Sequence, residues 1–151
     1  MGSYRDIGIA DAPFVAGVDL TQKPGFAVAP GSVNGEVIVA VGPSGNPWPW
    51  GIVTNTPSSG QEARVRVYGY AKAVCRSNAC SLRYGAFLIC GSDGALEPAL
   101  TEGNGTNALP LSTSQMFARY MDDGTFATGS AYAEVFIMPI PLSTCGILSA
   151  S

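Results

Sequence analysis

Glu62-Ala63-Arg64-Val65-Arg66-Val67-Tyr68 alternates small apolar residues with charged ones at a period of two. That alternation is the signature of a strand with one buried and one wet face. The pattern resumes after a glycine in Gly69-Tyr70-Ala71-Lys72-Ala73-Val74-Cys75, which predicts a bulge or sharp bend at Gly69. No helical window competes with this reading. The 19 glycines and 11 prolines among 151 residues are scattered, which suits short strands joined by turns and disfavours long helices.

Outward from this stretch, further strands follow from β-branched runs and turn residues. Gly25-Phe26-Ala27-Val28-Ala29 stops at Pro30-Gly31, and Glu36-Val37-Ile38-Val39-Ala40-Val41 stops at Gly42-Pro43-Ser44-Gly45. Trp50-Gly51-Ile52-Val53 ends at Thr56-Pro57-Ser58-Ser59-Gly60. Ala86 to Cys90 and Ala95 to Pro98 flank Asp93-Gly94 and read as a hairpin. Residues 101–107 read as a polar loop, Ser114 to Met121 as a short helix or a strand, and Ala131 to Met138 as the last strand, which Pro139 and Pro141 terminate. Met1 to Pro24 shows no period. It reads as an extended arm, or alternatively as a first strand followed by a loop. The expected architecture is all-β: a compact barrel-like domain of about eight short strands over residues 25–142, an arm over 1–24 and a small polar tail over 143–151.

Composition narrows the function. Charged residues make up 13% of the chain, about half the usual share, so much of the surface is expected to face other protein. The net charge of −3 and the lack of a basic cluster give no reason to expect nucleic acid or an anionic membrane as partner. No apolar run approaches bilayer-spanning length, and no apolar stretch follows the first residues as in a signal peptide, so synthesis in a cytoplasm is expected. The chain has no histidine, which excludes Ser-His-Asp and Cys-His catalysis and removes the commonest zinc ligand. Neither a catalytic set nor a metal or cofactor site is expected, and the chain is not expected to be an enzyme.

The remaining motifs read mostly as structure. Asp122-Asp123 precedes Gly124 and suits a polar turn better than an acid pair, since adjacent strand residues face opposite ways. Gly42-Pro43-Ser44-Gly45 lacks the Lys-Ser/Thr of a phosphate cradle, and Asn104-Gly105-Thr106 marks a surface loop. Cys75 and Cys80 are not spaced as a redox or zinc pair. Across a hairpin end they could form a disulfide, although cytoplasmic synthesis favours thiols, and a buried thiol is expected at Cys90. In Pro47-Trp48-Pro49-Trp50 the two tryptophans point the same way on an extended segment, either into a core or outward onto a sugar or a partner protein.

Gly51-Ile52-Val53, Pro57 and Gly60-Gln61-Glu62-Ala63-Arg64-Val65-Arg66-Val67-Tyr68-Gly69 resemble the glycine-, proline- and valine-patterned core of the decoration (cement) proteins of tailed-phage heads. Tyr84-Gly85-Ala86-Phe87-Leu88 with Asp93-Gly94-Ala95-Leu96 is similar to the next hairpin of that family, and Pro24 to Val28 and Ala133 to Ile137 follow in the same order. Gln61 and the insert from Cys75 to Ser81 depart from the family pattern. The resemblance implies a β-tulip domain that trimerises on the outer face of the expanded capsid, at three-fold and quasi-three-fold positions. It also implies an arm that adds to sheets of the major capsid protein, with Tyr4, Ile7, Ile9 and Phe14 as its apolar anchors. Two other readings fit an all-β chain: a carbohydrate- or receptor-binding module with Trp48 and Trp50 as platform, and a tail or baseplate subunit.

Overall fold

The computed structural model describes residues 10–41, 49–77, 82–98, 118–123 and 129–138. Every regular element among them is a strand: β1 (Ala10–Ala16), β2 (Ala27–Pro30), β3 (Glu36–Val39), β4 (Gly51–Val53), β5 (Glu62–Arg76), β6 (Phe87–Cys90), β7 (Leu96–Pro98), β8 (Ala118–Tyr120) and β9 (Ser130–Ile137). The expected all-β barrel is therefore found.

The stretch that sets the pattern is a single 15-residue strand, β5, about 50 Å long at the usual rise per residue. It belongs to two rings. In the first, β5 pairs with β1 and β4, and β1–β3–β2–β4 completes a closed circuit of five strands. In the second, the other half of β5 pairs antiparallel with β9 through eight residues, and β9–β8–β6–β7 leads back to β5. That return is one parallel pair, Cys75 with Leu96. The bend between the halves sits at Gly69, whose φ of 99° is open to glycine and strained for other residues. The expected bend is there, inside one strand.

The period of two persists across the bend. Ala63 and Val65 point into the first core, with Ala16, Leu20, Val28, Val37 and Val53. Ala71, Ala73 and Cys75 point into the second, with Leu88, Leu96, Val135 and Ile137 among others. The short strands β2 and β4 form the wall between the cores. Ala27, Ala29 and Ile52 face one core while Val28 and Val53 face the other, so both strands are buried on both faces. This explains their continuous apolar sequences.

The N-terminal stretch differs from a free arm. Residues 10–15 pair with β5 from Tyr68 to Glu62, Val15 and Ala16 pair with β3, and Leu20 is fully buried in the first core, a contribution of about 2 kcal/mol. For residues 10–24 the reading as a first strand followed by a loop is the one found, and residues 1–9 lie outside the described part. Weak burial hid β1 in the sequence: six of its seven residues stay exposed or half-buried and only Ala16 is fully buried, so little apolar alternation is needed. In the segment read as helix or strand, Ala118–Tyr120 is a strand, and residues 114–117 lie outside the described part.

Candidate interaction surface

The expected functional residues fall in different places. Tyr4, Ile7, Ile9, Trp48 and Cys80 lie outside the described residues. Phe14 sits on β1, half-buried against the first core. Its ring lies 5.3 Å from that of Trp50, tilted by 42°. Trp50 remains 44% exposed, so it is a surface aromatic leaning on Phe14 rather than a core plug. Cys75 is a free thiol, 1% exposed. Burial, with a smaller push from Asp122, raises it to about 12. At pH 8 only about one molecule in ten thousand would carry the thiolate. Iodoacetamide at pH 8 is therefore expected to leave Cys75 unmodified in the native protein and to label it in denaturant, as read by peptide mass spectrometry. Rapid native labelling would contradict its burial. Cys90 is also buried, with its Sγ directed at the Ala40 carbonyl 3.6 Å away.

Among the described residues no group of three or more Cys, Asp and Glu side chains could hold a metal ion, and the charged side chains act as clamps. Arg66 binds Asp11 through Nε at 2.6 Å and Nη2 at 3.1 Å, and its Nη1 donates to the Tyr70 carbonyl. This ties β1 to β5 next to the register shift between Ala10 and Asp11. The Arg66 hydrogen bonds hold the Asp11 carboxyl below its ordinary value. Arg76 binds Asp93 through two nitrogens at 3.0 Å and Glu97 through Nε at 3.1 Å. It lies beside the single pair that closes the second ring.

The outward face of β5 and its neighbours carries a second feature. Tyr68 and Tyr70 are on the outer, even-numbered side of β5. Phe136, opposite Tyr70 on β9, meets both rings edge-on, at 5.4 Å and 5.1 Å. Arg119 stands opposite Phe136 on β8, and Phe87 stands opposite Arg119 on β6, with the guanidinium 4.3 Å above the Phe87 ring. The result is one row, Tyr68/Tyr70–Phe136–Arg119–Phe87, across three strand pairings. Sequence reasoning passed over it. The parity of Arg66, Tyr68 and Tyr70 on the wet face was a usable signal, but the partners on β9, β8 and β6 are set by pairing alone.

The row lies where the ends of the described chain meet. Even-numbered β5 residues turn their backbone groups toward β4 and β2: Thr54 N–H donates to the Arg64 carbonyl and Val74 N–H to that of Gly25. Ala16 N–H donates to the Gln61 carbonyl on the odd-numbered side. β1 and β9 therefore share one edge of β5, end to end and in the same direction, with Ile137 opposite Gly69 and Ala10 opposite Tyr68. The chain before Ala10 and the chain after Ile137 join the body at this one point.

Comparison with known proteins supports the architecture. No family model matches the chain, and no curated protein is significantly similar to it. Among solved structures, the N base of the head fiber gp8.5 of bacteriophage phi29 is similar, with a TM-score of 0.53 over 85% of this chain and 93% of that one. The two sequences are 15% identical, so the likeness is one of fold.

Proposed function

We propose that this protein is a structural component of a tailed-phage virion that binds the outer surface of the expanded capsid and stabilises it. The observation that supports this best is the fold shared along nearly the whole of a phage head fiber base. The family resemblance of residues 24–140 points the same way by an independent route. In this reading the partners are the major capsid protein and two further copies of the chain in a trimer, the site of action is the outer face of the virion, and synthesis is in the host cytoplasm. The residues before Ala10, with Tyr4, Ile7 and Ile9, form the arm that adds to capsid sheets. The mechanism is mass action: a subunit that binds only the expanded lattice stabilises that lattice over its dissociated state.

The test is co-sedimentation with expanded, undecorated heads of the phage that encodes the protein, with unexpanded procapsids as control. Saturable binding to expanded heads is expected, at least tenfold weaker when residues 1–9 are removed. The deletion stops at residue 9 because β1 is part of the first ring. No binding at any salt concentration would end this reading. Exposed Trp50 favours one competitor, a glycan-binding module. The other half of that expected platform, Trp48, lies outside the described residues. A glycan screen in which Trp50→Ala abolishes a wild-type signal would establish that reading instead.

A further inference from the structure

We infer that the outer row Tyr68, Tyr70, Phe136, Arg119 and Phe87 is the face of the body that seats on the capsid shell. The inference rests on the capsid-binding reading and adds to it the surface that makes contact. Three observations converge. First, the composition of the row is that of an interface centre: two tyrosines edge-on to Phe136, and Arg119, the cross-strand neighbour of Phe136, over the Phe87 ring, all on the outside of a sheet. Tyr68 is 39% exposed, and Arg119 is also exposed. In a monomer these rings gain nothing by facing water, and Ala71, Val135 and Ile137 already fill the core beneath.

Second, the flanks of the row are charge-balanced. Arg66 is bound to Asp11 on one side, and Lys72 stands opposite Glu134 on the other. A partner can cover the row without burying an unpaired charge from these flanks, and a polar rim of this kind excludes water from a central contact. Third, chain geometry selects the occupant. The residues before Ala10 leave the body opposite Tyr68. Residues 1–9, fully extended, span about 30 Å. Whatever Tyr4, Ile7 and Ile9 grip must lie within that reach of the row. Arm and row then engage the same shell as two linked contacts, and the second contact forms at a high effective concentration.

The experiment is the co-sedimentation assay with full-length Tyr68→Ala, Arg119→Ala and Val33→Ser. Val33 is 59% exposed in the β2–β3 connection, at the end of the first ring far from Gly69, and serves as control. Near-UV circular dichroism and light scattering report the fold and oligomeric state of each variant. Arg119→Ala removes a solvent-exposed side chain and keeps the test informative if Tyr68→Ala loosens the sheet. Tyr68→Ala is expected to weaken binding to expanded heads about tenfold or more and Arg119→Ala about threefold or more, with Val33→Ser at the wild-type level and oligomeric state unchanged. Wild-type affinity in both row variants would overturn the inference and leave the capsid-binding reading standing. Loss of self-association with head binding retained would also overturn it, assigning the row to contacts between copies. Failure of the wild type to bind heads would remove both.

Discussion

Gly51→Ala is expected to destabilise the protein by about 3 kcal/mol or more, the range of severe overpacking in a core. Gly51 begins β4 in the wall between the two cores and pairs with β2 at Val28. A Cβ there would run into the Arg66 carbonyl group of β5, with Val65 Cγ1 only 2.9 Å away. The obstructing group is backbone inside a closed ring, so no side-chain rotation relieves it. Since β4 packs on both cores, a displaced β4 disturbs both. Chemical denaturation with two probes would check this, and a midpoint within error of the wild type would show that β4 and β5 can separate without cost. The same substitution at Gly60, a turn position, meets no atom within 4 Å. It carries only the strain of a φ of 84° and is expected to cost about 1 kcal/mol.

Arg76→Ala is expected to cost about 3 kcal/mol, because it leaves the nearly buried Glu97 without its guanidinium partner. The double change Arg76→Met with Glu97→Gln is expected to be milder than Arg76→Ala alone, since the nearly buried carboxylate is then gone and the one left without Arg76, that of Asp93, is about half exposed to water. The position makes the effect local as well. The second ring closes on β5 through one residue pair, and the clamp from Arg76 to Asp93 and Glu97 spans that closure. Hydrogen exchange in β6 and β7 is expected to rise more than in β2 and β3, and uniform acceleration would contradict this account.

The clamps also set the pH response. Burial pushes the Asp93 carboxyl up, but the Ala95 N–H and Arg76 outweigh it and leave the group below its ordinary 3.8. Asp11 is lowered chiefly by Arg66. A carboxyl depressed in the folded state contributes stability that is complete above its unfolded value and lost as pH falls through the folded one. With no histidine in the chain and Cys75 held at about 12, the thermal midpoint should be nearly flat from pH 5 to 8 and fall below about pH 4. A step between pH 6 and 7 would contradict this assignment.

Much of the fold was legible because it depends on local chemistry. The alternation from Glu62 to Cys75 marked β5 and its buried face, the Asp93-Gly94 turn marked the β6–β7 hairpin, and β-branched runs marked β3 and β9. The N-terminal stretch was ambiguous because β1 borrows its order from β5. Its outer residues carry Asp11 and Pro13, which read as loop chemistry but protect an open strand edge. The candidate surface was least legible. Tyr68, Phe136, Arg119 and Phe87 are spread over 69 positions (68 to 136), and only long-range pairing places them side by side.

By itself, the sequence determined that the chain is all-β, that the long strand alternates a buried and a wet face, where that strand bends, and that histidine-based chemistry is absent. These follow from side-chain period and backbone freedom, which act over a few residues. The tertiary structure decided that β5 serves two rings, that β2 and β4 divide two cores, and that both ends of the described chain lie beside the aromatic row. Strand partners are chosen by how distant apolar faces fit together once loops have closed, and no local pattern records that choice.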